Sequence, residues 1–323
     1  MKSVLRTFPA LAVVALLAPV IAFFPAPARA ADAPASASPV PASVTQVGSL
    51  RVERYGSGSP AMIFIPGLSC GAWEWQSAID VYGGKHAVYI VTLGGFDGTP
   101  EPSGAPLDAA DASLLQLITT EKLDRPILVG HSMGGFLALR FGTEHASILR
   151  GVVSVDGTPV FPTLLQATPE QRAATADTFA AQIRSLTPEQ WAAGQQRTLA
   201  TMITAPADVD RVAPLSAKSD PKAVADYASA LWRADLRPEL VNLAVPTLEV
   251  APVPSVPAPF EGPQAASSPM ADREAGYKAF YTGLFPGAPH LTVVTIPNSK
   301  HFIMMDQPKA LYDAITAFVT PLS

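Results

Sequence analysis

Ile127-Leu128-Val129-Gly130-His131-Ser132-Met133-Gly134-Gly135 is the stretch on which the reading of this chain turns. Three apolar residues read as a short strand, stopped at Gly130, and a helix is expected over Met133–His145. Between them stands G-x-S-x-G, in the strand–turn–helix setting of a nucleophile elbow. Such a turn lifts a serine hydroxyl clear of the backbone but is strained, so its neighbours must be small. Gly130, Gly134 and Gly135 supply that room. The positive end of the following helix would favour negative charge developing at Ser132. The plain structural reading of the same residues is a Gly-rich packing turn between strand and helix. The flanking elements favour the nucleophile.

Outward from this turn, short apolar runs recur, most of them stopped at Gly, Pro or Asp. They are Leu50–Tyr55, Ala61–Ile65, Ala87–Leu93, Gly151–Val155, Val245–Val250 and Leu291–Ile296. Leu50–Tyr55 alternates and reads as an edge strand. The others are continuously apolar, as parallel strands covered on both faces are. Helices are expected over Leu107–Thr120 and Pro308–Val319 as well. The fold class is therefore α/β, a doubly wound, mostly parallel sheet. The alternation breaks over about 158–233, where Thr168-Pro169-Glu170, Thr187-Pro188-Glu189 and Ser219-Asp220-Pro221 each mark a helix start. This segment is expected to be a helical cap inserted between two strands, over the carboxyl ends where ligands bind in open α/β sheets. A helical decoration without substrate contact is the plainer alternative. Residues 246–269 form a Pro-rich stretch that reads mostly as a long irregular loop.

Gly130-His131-Ser132-Met133-Gly134-Gly135, the earlier Phe64-Ile65-Pro66-Gly67-Leu68 turn and the late Lys300-His301-Phe302 segment together resemble the α/β-hydrolase family of serine esterases and lipases. The resemblance runs from about Ser49 to the end; it is specific for fold and for a serine nucleophile, and uninformative about substrate. It implies an oxyanion hole built from the backbone N–H groups of Met133 and Leu68. The family often has His-Gly where this chain has Pro66-Gly67, but a backbone donor survives that change. The base should be a histidine, since its proton affinity suits exchange near neutrality. Of five, His131 adjoins Ser132 but points away on so tight a turn, His86 opens a strand, His145 closes a helix and His290 precedes the last strand. His301 occupies the loop where the family places its base. The acid departs from the commonest pattern: the loop after Val245–Val250 has no Asp, and Glu249 lies inside that strand. Asp156, at the end of the strand after the nucleophile helix, is the favoured acid, ahead of Glu261 and Asp272. Asp306 reads as the cap of the final helix. Trp73 and Trp75 read either as pocket lining or as core.

Composition narrows the function classes. The 323 residues are 48% hydrophobic and 15% charged, with a net charge of −5 and no Lys/Arg run, which argues against nucleic acid as a partner. Lys2 and Arg6 precede an apolar run over Leu11–Phe24 that ends at Ala28-Arg29-Ala30, the pattern of a secretory signal peptide over residues 1–30. Cleavage there removes three positive charges and leaves −8, with no stable membrane anchor, so the protein is expected to be exported, periplasmic or secreted. Residues 31–44, rich in Ala, Pro and Ser, read as a tether, and 45–323 as the catalytic domain. The single cysteine, Cys70, excludes an internal disulfide and reads as a small buried thiol. No metal signature and no dinucleotide fingerprint is present, so no cofactor is expected.

The expected activity is cleavage of a small or medium carboxylic ester or related acyl compound through an acyl-enzyme, with an apolar acyl or alcohol part. Carbon–carbon bond hydrolysis, perhydrolysis on the same fold, and a non-catalytic binding protein stand as alternatives. Epoxide and haloalkane hydrolases of the usual type use an Asp nucleophile, which Ser132 disfavours.

Overall fold

The computed structural model describes residues 39–257 and 264–323. The expected leader, most of the expected tether and Glu261 lie outside them. The described residues carry an eight-stranded sheet in the order β1-β2-β4-β3-β5-β6-β7-β8. Its strands are β1 (Ser43–Val47), β2 (Leu50–Tyr55), β3 (Met62–Ile65), β4 (Val88–Thr92), β5 (Ile127–His131), β6 (Gly151–Val155), β7 (Thr247–Val253) and β8 (Leu291–Pro297). The pairs β1–β2 and β2–β4 are antiparallel. Every pairing from β4 through β3 to β8 is parallel. Leu50–Tyr55 is thus not the edge. The edge is β1, four of whose five residues are exposed, and Ser43 already begins it within the stretch read as tether.

Parallel strands need cover on both faces, and the period-2 alternation of side chains supplies two cores. Ile63, Ile65, Tyr89, Val91 and Leu128 pack one way, with α2 (Pro106–Thr120), α3 (Met133–His145) and α8 (Met270–Leu284). Met62, Phe64, Val88, Ile90, Ile127 and Val129 pack the other way, with α1 (Gln76–Tyr82) and α10 (Pro308–Val319). A single-turn helix, α9 (Ile303–Asp306), precedes α10.

The strand order creates the site. β3 and β5 are neighbours, yet the chain leaving β3 runs to β4 on one side and the chain leaving β5 runs to β6 on the other. Their carboxyl-end loops therefore diverge and leave a crevice, the switch point at which α/β sheets bind ligands. Those loops carry Gly67-Leu68 and Ser132.

The insertion between β6 and β7 holds four helices, α4 (Pro169–Arg184), α5 (Pro188–Met202), α6 (Pro206–Ser216) and α7 (Pro221–Arg233). The expected caps are in place. Thr168 and Thr187 each accept from the third helical N–H, while Gln171 and Gln190 close the reciprocal half of a capping box. Asp220 accepts from Lys222 N–H at 2.8 Å. The insertion is fastened to the carboxyl-end loops of the sheet. Asp220 N–H donates to Gly95 O (2.8 Å) and Ser69 Oγ donates to Ser216 O (3.0 Å). Phe302 N–H donates to Met202 O (3.2 Å).

Candidate active site

Ser132 sits at φ 53°, ψ −119°, a conformation costly for any residue with a side chain. The surroundings impose it. Its N–H donates to Val155 O at 2.9 Å, tying the turn to the end of β6, and its carbonyl accepts Phe136 N–H at 3.0 Å, which starts α3. The first turn of α3 presses on the end of β3: a Cβ on Gly134 would lie 2.3 Å from Ile65 O. Met133 is the first residue of α3, so its N–H belongs to the amides that have no acceptor within the helix. The turn after β3 closes on the other side. A Cβ on Gly67 would lie 3.3 Å from Ser132 Cβ, which brings the Gly67-Leu68 backbone beside the serine. Leu68 is half-buried.

His301 returns to this elbow from the C-terminal end of the chain, between β8 and α9. Its ring centroid is 4.5 Å from that of His131, the residue before Ser132. Its Nδ1 lies 2.5 Å from Asp156 Oδ2. Asp156 follows β6 at φ 49°, with its N–H donated to Val250 O at 2.9 Å, so the β7 ladder aims its carboxylate. The other carboxylate oxygen, Oδ1, accepts the hydroxyl of Tyr281 on α8. An imidazole whose Nδ1–H is held by a carboxylate leaves Nε2 as the basic nitrogen. Asp156 and His301, from distant parts of the sequence, are thus paired, and the His301 ring lies against that of the residue before Ser132.

A family model for the alpha/beta hydrolases matches residues 62–314, a span that contains Ser132, Asp156 and His301. The chain belongs to the alpha/beta hydrolase family. Over 60% of this hydrolase and 74% of the relative, it is 27% identical to a pimeloyl-[acyl-carrier protein] methyl ester esterase of Edwardsiella ictaluri. It is 25% identical to a 2-(acetamidomethylene)succinate hydrolase of Mesorhizobium japonicum, over 84% of this chain and 91% of the other. Among solved structures, a thermophilic esterase from Thermogutta terrifontis superposes with a TM-score of 0.68 at 19% identity, covering 87% of this chain and 99% of that one. At that identity the likeness speaks for the fold alone.

The remaining candidates of the hydrolase fall elsewhere. Glu249 is fully buried within β7. Burial pushes its carboxyl well above the usual range, and the charge of Asp156 adds to this. Asp272 is an exposed residue in the first turn of α8, and Glu261 lies outside the described residues. Asp306 does not cap the final helix, whose N-cap is Gln307. It accepts instead from Lys300 N–H (2.7 Å) and from the N–H and hydroxyl of Thr204 (both 2.8 Å). The carboxylate thus joins the segment just before His301 to the inserted helices, a better use of its lone pairs than one helix end. Trp75 is core, fully buried with its indole N–H on Ile65 O, whereas Trp73 is half-buried. His86 Nδ1 lies 2.8 Å from Pro60 O, and His145 ends α3. Cys70 is buried and free.

Two partners of the cluster carried no sequence signal. Tyr281 and Asp156 are 125 residues apart, and Glu74, which meets His131, is 57 residues from it. Only the packing of a helix or turn onto the sheet brings either pair together. Among the described residues no three His, Cys, Asp or Glu side chains are grouped to hold a metal ion, and no helix is long and apolar enough to cross a membrane.

Proposed function

We propose that the chain is a serine hydrolase that cleaves carboxylic esters, or closely related acyl compounds, through an acyl-enzyme. The observation that carries the reading is the Nδ1–Oδ2 contact of His301 and Asp156 at 2.5 Å, with the imidazole 4.5 Å from the ring of the residue that precedes a serine on a strained elbow. An imidazole so oriented has one nitrogen left for the serine proton, and the carboxylate stabilises the imidazolium that results. Ser132 Oγ attacks the acyl carbonyl as its proton passes to His301 Nε2. The carbonyl oxygen becomes an oxyanion between the Met133 and Leu68 amides. His301 returns the proton to the departing alcohol, and a water activated by the same nitrogen then releases the acid and restores Ser132. The methyl ester in the name of the Edwardsiella relative supports esters as the substrate class.

The same proposal places the protein outside the cytoplasm, on the strength of Lys2, Arg6 and the apolar run that follows them. Rapid mixing with 4-nitrophenyl esters of graded chain length tests the reaction. The expected result is a burst of nitrophenol and, after acid quench, an acyl mass increment on the peptide containing Ser132. Turnover of an ester with the burst and the adduct both lost in Ser132→Ala supports the scheme. No turnover of any ester by the folded protein contradicts it.

A further inference from the structure

Behind the elbow lies a second imidazole–carboxylate pair that the reaction scheme leaves unused. His131 and Glu74 are buried to the last few per cent, with side chains that expose no surface. His131 Nδ1 lies 3.0 Å from Glu74 Oε1, and His131 Nε2 lies 3.0 Å from the carbonyl oxygen of His301. A carbonyl cannot donate, so Nε2 must carry a proton. Glu74 in turn receives the N–H of Gly67 on both oxygens, at 3.3 and 3.2 Å. Two oxygens sharing one N–H suit a carboxylate better than a carboxylic acid, which makes Glu74 the acceptor of choice and Nδ1 the matching donor. With that assignment both ring nitrogens donate, as only an imidazolium can.

The groups around the ring agree. Burial alone would favour the neutral form, but the Glu74 carboxylate, its hydrogen bond, the Asp156 charge and the His301 carbonyl outweigh it and hold His131 above its ordinary value. The rings of His301 and Phe302 close the remaining faces, with centroids at 4.5 and 4.9 Å. Burial and the Glu74 carboxylate also push the Cys70 thiol up, so it adds no second anion near Glu74.

We propose that Glu74 and His131 are positioning residues, a buried carboxylate–imidazolium bridge that sets three parts of the site in register. One end fixes the Gly67-Leu68 turn, which carries an oxyanion donor. The middle is the residue before Ser132. The other end fixes the main chain of His301, which carries the base. The bridge touches no reacting atom and acts through the parts it holds, so the inference rests on the serine-hydrolase reading for its kinetic consequence, while its protonation state can be read independently.

The test is nitrogen-15 NMR of the full chain labelled at histidine, together with kinetics on 4-nitrophenyl butyrate. At pH 7, wild type is expected to show one histidine with both nitrogens protonated, an assignment lost in His131→Gln. Glu74→Gln keeps an acceptor for Gly67 and a donor for Nδ1, so His131 becomes a neutral ring that still donates from Nε2. That variant should keep kcat within about tenfold, whereas Glu74→Ala should lose about 100-fold in kcat with KM changed less than about threefold, both variants being folded by circular dichroism. A singly protonated, neutral His131 in wild type overturns the proposal, as does Glu74→Ala turning over like wild type. If Glu74→Ala does not fold, the wild-type signal and its loss in Glu74→Gln decide. Were wild type to hydrolyse no ester, the hydrolase reading would fail while the imidazolium signal would still decide the bridge.

Discussion

Asp156 and His301 are 145 residues apart in the chain, and their side chains meet at 2.5 Å. The contact exists because β6 and β7 end side by side. The N–H of Asp156 is still tied to Val250 O of β7 while its φ of 49° departs from the strand, and β8, next to β7, delivers the segment bearing His301. The carboxylate that meets His301 thus stands one strand earlier than the loop after β7, and His301 Nδ1 has its partner without an Asp in that loop.

Asp156→Asn keeps the shape of the side chain but offers the imidazole an amide in place of a charge. It should reduce kcat on the order of 10⁴-fold, as in a triad whose acid is neutralised, with little change in KM. Steady-state kinetics on a nitrophenyl ester checks this. Unchanged turnover would move the acid elsewhere.

Tyr281→Phe removes only the hydroxyl that Asp156 Oδ1 accepts. A hydrogen bond to a charged group is worth about 1.5–3 kcal/mol, shared here between stability and catalysis. The expected outcome is a lower melting temperature and a kcat reduced about tenfold, far less than for Asp156→Asn.

Glu249 sets a pH dependence of stability. Its folded proton affinity is raised well above that of the unfolded chain, chiefly by burial. Between about pH 4.5 and the folded value, the folded state holds a proton that the unfolded state has released, so stability falls as pH rises through that window. Glu249→Gln should flatten the slope and melt higher than wild type at pH 8. Thermal melts from pH 5 to 8 on both proteins read this directly; a steeper slope in the variant would contradict it.

Cys70 should be silent towards alkylation. It is buried, and burial together with the nearby Glu74 carboxylate keeps its thiol protonated. Iodoacetamide at pH 8 should leave the native protein unmodified and add one carbamidomethyl group after denaturation, by intact mass.

The parallel core could be read from the chain because most of its strands are short apolar runs ended by Gly, Pro or Asp. β6 and α3 fall on their expected bounds. β1 escaped because Ser43-Val44-Thr45-Gln46 is exposed and follows Ala- and Pro-rich sequence, so no buried alternation marks it. α8 escaped for a different reason. Its buried stripe is Arg273, Tyr277, Tyr281 and Leu284, led by a charged residue that hides the apolar periodicity. The strained turn at Ser132 was legible through its local motif, and the pairing of His301 with Asp156 through their places at strand ends. Tyr281, Glu74 and the true partners of Asp306 were not, because each contact depends on which strands and loops become neighbours in space.

The central claim is that Ser132 is the nucleophile, and a fluorophosphonate probe on the folded protein tests it most directly. One adduct per chain, on the peptide containing Ser132, absent in Ser132→Ala and strongly slowed in His301→Ala, is the predicted result. A Ser132→Ala variant that hydrolyses esters as fast as wild type, with the probe attached elsewhere, would contradict it.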